Sequence, residues 1–179
     1  MTDTITIRPA TEHDVPLISG FIRDLARYER LEHEMVATEE GLRKTLFGER
    51  RYAEVVFACV DGDPVGFALF FHNYSTFLGK PGIYLEDLFV RPEARGQGIG
   101  KRLLTWLAQT TIERDCGRLE WSVLDWNEPS IGFYRSLGAV LKDEWQGFRL
   151  TGDALQALAS TSGKMGDHEP PRLSHHVKR

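Results

Sequence analysis

The feature that most limits what this chain can fold into is the run Arg95-Gly96-Gln97-Gly98-Ile99-Gly100. An apolar stretch, Ile83 to Val90, precedes it and is broken off by Arg91-Pro92. After it, Ile99, Leu103, Leu104, Leu107 and Ala108 recur at helical spacing. A strand, a glycine turn and a helix are therefore expected in that order. Glycine lets the backbone take positive φ and approach a ligand closely. The first turn of the helix offers unpaired N–H groups and the positive end of the helix dipole. With Arg95, Lys101 and Arg102 alongside, this is an anion site suited to phosphate.

Which phosphate ligand it suits is decided residue by residue. The dinucleotide fingerprint G-x-G-x-x-G fails because the third glycine falls one position early. A P-loop fails because Arg102 follows Gly100-Lys101 and position 95 is arginine. The pattern that remains is [QR]-x-x-G-x-[GA], filled by Arg95, Gly98 and Gly100. Taken alone it also fits a glycine-rich turn with no ligand.

The rest of the chain reads as an α+β layout, three layers deep. Strands are expected at 5–8, 52–60, 65–74, 83–90, 118–124 and 144–150, with Asp61-Gly62-Asp63-Pro64 as a turn. Thr11 and Asp14 form a variant capping box. Val15, Ile18, Phe21, Ile22 and Leu25 then carry a helix to about residue 28 or 29. Further helices are expected at 38–48, from the glycine loop to about 117, at 127–137 closed by Gly138, and at 153–159.

Composition narrows the function classes. The 179 residues suit one domain, expected at 1–159, and a net charge of −4 offers no basic field for nucleic acid. No run approaches the ~18 apolar residues of a membrane span, and the polar start lacks an apolar leader core. Cytoplasmic residence is the expectation. Cys59 and Cys116 fit no metal or disulfide spacing, and Cys59 lies in an apolar run that reads as core. Residues 160–179 are polar and expected to form a flexible tail, with His175-His176 solvated rather than metal-binding.

Asn127, Ser130 and Tyr134 fall at i, i+3 and i+7, on one helix face. They fit a helix cap, a surface serine and a half-buried tyrosine, or else a polar rail beside a ligand. Glu86 and Asp87 are consecutive in an otherwise apolar strand. A regular pleat sends them to opposite faces, with Glu86 on the side of Tyr84 and Leu88, unless a bulge intervenes. Charge in a central strand is costly unless compensated, which makes the pair informative.

Tyr84-Leu85-Glu86-Asp87-Leu88-Phe89-Val90-Arg91-Pro92 followed by Arg95 to Gly100 resembles the GNAT superfamily of N-acetyltransferases. Ile7-Arg8-Pro9-Ala10, Leu25-Ala26-Arg27-Tyr28-Glu29, Asp125-Trp126-Asn127-Glu128-Pro129-Ser130, Phe133-Tyr134 and Leu137-Gly138-Ala139 resemble its spermidine/spermine (diamine) and thialysine acetyltransferase group. The resemblance implies a mixed, mostly antiparallel sheet of about six to seven strands, splayed at its middle and flanked by about four helices. It implies acetyl-CoA as co-substrate, no metal, and a homodimer. The pantetheine arm would lie on Leu88, Phe89 and Val90. Residues Arg95, Gly96, Gln97, Gly98, Ile99, Gly100 and Lys101 would hold the pyrophosphate, with Asn127, Ser130 and Tyr134 at the thioester end.

Amide formation from a thioester requires that the ammonium lose a proton and the leaving thiolate gain one. The resemblance points to Tyr134 as the acid. Glu86 is the candidate base, or it binds the amine instead. Tyr28, Glu29, Asp87 and Phe77 would line the acceptor site, although Tyr28-Glu29 also fits a solvated helix end. The chain departs from the spermidine/spermine pattern at Ser75-Thr76-Phe77, where those enzymes carry Asp-Pro-Trp, and there it is similar to the thialysine branch. A small cationic amine, a short diamine or lysine-like molecule, is the expected acceptor, and neither nucleic acid nor membrane is expected as a partner. A protein amine as acceptor, or a non-catalytic CoA sensor, are the alternatives.

Overall fold

A computed structural model describes residues 4–161; the tail expected at 160–179, His175 and His176 included, lies outside them but for its first residues. The chain divides into two compact units, residues 1–128 and 129–179. The first unit opens with β1 (Ile5–Pro9), α1 (Val15–Glu29), α2 (Glu39–Phe47), β2 (Glu54–Val60), β3 (Asp63–Ser75) and β4 (Lys80–Val90). It continues with α3 (Ile99–Glu113) and β5 (Leu119–Trp121). α4 (Glu128–Ser136) starts at its last residue, and α5 (Gly152–Ser160) belongs to the second unit.

The strands form one sheet in the order β1-β2-β3-β4-β5. Neighbours are antiparallel except β4 and β5, which run parallel. Among the described residues this is five strands, fewer than the six to seven expected. The expected strand at 118–124 is paired only over Leu119–Trp121, and 144–150 carries no strand. A strand exists only with a ladder partner. The apolar residues Val140, Leu141, Trp145, Phe148 and Leu150 do not alternate as a one-sided strand requires.

Local chemistry sets the boundaries. Asp61 and Gly62 have φ of 49° and 91°, the left-handed pair of a tight type I′ hairpin turn, and they join β2 to β3. The Thr11 N–H donates to Asp14 Oδ2 at 2.8 Å ahead of α1. Arg8 clamps the same carboxylate with bonds of 2.9 and 2.8 Å. Thr38 caps α2 by accepting from the Gly41 N–H at 3.1 Å.

Two apolar layers sandwich the sheet. On one face Ile18, Phe21 and Leu25 of α1 and Leu46 of α2 meet Val55, Phe57, Cys59, Phe67 and Phe89. Each such side chain contributes about 1.5–3 kcal/mol on full burial. On the other face α3 packs by Ile99, Leu103, Leu104 and Leu107, and Trp106 meets Phe70 edge-on at 5.9 Å. Ala108, expected in that stripe, is exposed, and Thr110 and Thr111 are buried instead. A Cβ on Gly66 would come within 3.3 Å of Ile99 Cγ2. Glycine at 66 thus lets the start of α3 sit close on β3, which fixes where the glycine loop hangs.

Candidate functional site

β4 is paired unequally along its two edges. Against β3 its ladder runs from Lys80 to Val90. Against β5 it comprises only Ile83↔Leu119, Tyr84↔Glu120 and Leu85↔Trp121. From Glu86 to Val90 the β5-side edge therefore has no strand partner among the described residues. Backbone donors and acceptors left on such an edge suit an extended ligand that adds as a strand. Leu88, Phe89 and Val90 are the last three residues of this stretch.

The glycine loop follows at the end of the open edge. Gly96 and Gly98 both have φ of 79°, and a Cβ at either would meet nothing within 4 Å. Glycine is required there by backbone conformation, and the space above it is open. Gly98 is the N-cap of α3, so Ile99, Gly100 and Lys101 form its first turn. Gln97 and Lys101 are exposed. The Arg95 Nε–H donates to the Val90 carbonyl at 2.9 Å. Its guanidinium lies 4.6 Å from the Tyr28 ring centre and 5.4 Å from that of Phe89.

The register of β4 changes at Glu86. Asp87 stands opposite Leu69 and Leu85 opposite Phe70, so Glu86 is an extra residue, a bulge. Directly opposed residues share a face. Asp87 therefore lies on the α1 face with Leu69, and Tyr84, opposite Phe71, lies there too. The regular pleat expected to put Glu86 beside Tyr84 and Leu88 does not hold, because the bulge shifts the alternation by one. Glu86 itself is exposed.

Carboxylates gather at this point. Burial, then the charges of Glu86 and Glu29, push the Asp87 carboxyl up to about 7. Burial also raises Glu29, the last residue of α1. An acidic cluster around a half-ionised carboxyl attracts a cationic amine and accepts a proton near neutral pH.

Tyr28 ties the elements of the first unit together. Its ring centre is 6.2 Å from that of Phe89 and 6.2 Å from that of Trp126. Its hydroxyl donates to Asn127 Oδ1 at 3.4 Å, and Asn127 is buried. Arg30 places its guanidinium 6.0 Å from the Trp126 ring centre. Sequence reasoning read Trp126 only as part of a motif and passed over Arg30 and Gly66. The contacts of Tyr28 and Arg30 with Trp126 join residues about a hundred positions apart, which spacing along the chain does not reveal.

Three further expected residues lie outside α1, β4 and the glycine loop. Ser130 and Tyr134 lie on α4, both half-buried, and the Tyr134 ring packs against Phe133 at 5.5 Å. Gly138, with φ of 88°, follows the end of that helix. Phe77 is 94% exposed in the turn between β3 and β4. That turn is at the opposite end of β4 from the glycine loop, so the chain does not itself bring Phe77 to Asp87. Among the described residues no group of three His, Cys, Asp or Glu is placed to hold a metal ion, and no helix is long and apolar enough to cross a membrane.

A family model described as the acetyltransferase (GNAT) family matches residues 21–139. The L-ornithine N5-acetyltransferase of Arabidopsis thaliana is 38% identical, over 85% of this chain and 86% of that protein. The thialysine N-epsilon-acetyltransferase of Bos taurus is 39% identical, over 87% of this chain and 97% of that protein. Among solved structures, an integron cassette protein from the mobile metagenome of V. cholerae is similar with a TM-score of 0.74 at 30% identity, covering 87% of this chain and 97% of that one. The matched span holds the open strand edge, the glycine loop and the carboxylate bulge together, and the chain belongs to the GNAT family of acetyltransferases.

Proposed function

We propose that this acetyltransferase acts on a primary amine of a small diamine, polyamine or lysine-like molecule, with acetyl-CoA as the donor. The observation that carries the reading is the bulge that turns Asp87 to the α1 face, next to Glu29 and Glu86. Such a cluster suits a small cation with at least one ammonium group and disfavours an anionic acceptor.

The residues present fit the donor. The open β4 edge at Leu88, Phe89 and Val90 would take the pantetheine arm, and the backbone of residues 95–101 at the start of α3 would take the pyrophosphate. When bound, acetyl-CoA supplies the acetyl group as an activated thioester. Asn127, Ser130 and Tyr134 are proposed at its thioester end.

Glu86, exposed at the bulge, draws in the ammonium, as base or as binding group. Asp87, held near neutrality, is matched to take the proton, directly or through Glu86 and water. Tyr28 and Glu29 wall the acceptor. The Tyr134 hydroxyl gives a proton to the departing thiolate. A homodimer belongs to this reading through the family resemblance.

Mass spectrometry after incubation with acetyl-CoA and a panel of mono-, di- and polyamines, basic amino acids and lysine-bearing peptides tests the acceptor class. Single acetylation of small diamines or basic amino acids supports the reading. Acetylation of peptides alone contradicts it.

A further inference from the structure

Arg30 occupies a position that ordinarily goes to glycine or asparagine. It is the residue immediately after α1, with φ of 63° and ψ of 30°, where a side chain is strained and glycine is not. The chain reverses there, and the Leu31 N–H returns to the Ala26 carbonyl at 2.8 Å. The Arg30 side chain is thereby laid toward Trp126, its guanidinium 6.0 Å from the ring centre. Among the described residues no carboxylate lies within ion-pair distance of it. Arg27, one turn earlier, is held by Asp24 at 3.4 Å and Glu32 at 3.2 Å. Arg30 is thus an exposed guanidinium held by an aromatic plane, with its donors open to a planar anion.

Its neighbours set what that anion belongs to. Glu29 precedes it and bears on Asp87. Trp126 is 6.2 Å from the Tyr28 ring, which in turn is 6.2 Å from Phe89. Asp87 therefore stands two residues from Phe89 at one end of this aromatic row, the Arg95 guanidinium lies over Tyr28 and Phe89, and the Arg30 guanidinium stands at the Trp126 end. We infer that Arg30 is a specificity residue that binds the α-carboxylate of the acceptor, so that the preferred acceptor is a dibasic α-amino acid acetylated on its side-chain amine rather than a plain polyamine. This rests on the proposed acceptor site and adds a second, opposite charge to it. The Trp126 ring limits the guanidinium to a plane, and a carboxylate of an amino acid matches its fork. A plain diamine brings a second ammonium to the same place and is repelled.

The test compares matched acceptors that differ only in the carboxylate: ornithine against 1,4-diaminobutane, and lysine against 1,5-diaminopentane. In the full chain, Arg30→Gly relieves the left-handed strain, so the variant folds at least as well as the parent. The ratio of kcat/KM for ornithine over 1,4-diaminobutane should fall roughly tenfold, with the change carried by KM for ornithine. Arg30→Lys should keep part of the preference, and Arg27→Ala should leave the ratio unmoved. A ratio unchanged in Arg30→Gly, or equally altered by Arg27→Ala, overturns the assignment while leaving the acceptor site standing. Turnover of neither ornithine nor 1,4-diaminobutane by the parent enzyme overturns the acceptor reading and this assignment together.

Discussion

Asp87 stands directly across the β3–β4 ladder from Leu69, on the face that α1 covers. It gets there because Glu86 is an extra residue in β4, so one carboxylate is exposed while its neighbour is turned into a half-buried, acidic setting. Burial and like charge act in the same direction on Asp87, and both favour the protonated form.

Activity should follow that ionisation. With Asp87 as proton acceptor, kcat/KM rises with pH through about 7. Asp87→Asn should lower kcat by roughly 10²–10⁴-fold and remove the rise. A pH–rate profile on both proteins checks this. An intact rise in the variant would assign the proton to another group.

Stability should move the other way. The folded value of about 7 lies above the ordinary carboxylate value of about 4. The contribution of this group is therefore complete below about pH 4 and lost as pH rises through about 7. Asp87→Asn should raise the thermal midpoint at pH 8 by roughly 2–4 °C or more and change it little at pH 4. Calorimetry at the two pH values reads the difference.

The clamp before α1 has the opposite sign. The hydrogen bonds from Arg8, helped by those from Thr11, hold the Asp14 carboxyl well below the usual carboxylate range. Its stabilisation is present above about pH 4 and is lost as pH falls through and below that value. Asp14→Asn should cost about 1–2 kcal/mol at pH 7, a figure reduced for the partial exposure of Arg8. Urea titrations at pH 7 and pH 3 should show the variant losing less stability on acidification than the parent.

At the glycine loop, stability and binding should separate. Gly98→Ala forces a side chain into φ of 79°, at a cost of about 1–2 kcal/mol. The added methyl meets no protein atom within 4 Å, so the fold should survive while acetyl-CoA affinity falls more than about tenfold. Calorimetric titration with CoA checks the affinity. Unchanged affinity would place the phosphates elsewhere.

Tyr134→Phe should lower kcat roughly 10²-fold or more while leaving acetyl-CoA binding nearly as it was. Equal losses in both would mark the hydroxyl as a binding group instead.

Much of this was legible in the chain because it depends on short-range chemistry. The positive φ at Gly96 and Gly98, the Asp61-Gly62 turn and the boundaries of α1 and α2 all follow from residues within one or two turns of each other. The bulge was not legible. An inserted residue leaves the apolar pattern of β4 intact and reverses only its parity, and that parity is set by β3. The end of the β4–β5 ladder at Leu85↔Trp121 and the Arg30–Trp126 contact depend equally on partners far along the chain. At 144–150, where a strand is expected, no ladder forms, and the presence of a ladder partner is likewise not written in the local sequence.

The most direct test of the central claim is release of free CoA thiol when the protein meets acetyl-CoA with ornithine, lysine or a short diamine. Amine-dependent release well above the rate without acceptor, abolished in the Glu86→Gln, Asp87→Asn double variant that still binds CoA, is the predicted result. Release that stays at background for every amine, with CoA binding intact, would contradict it.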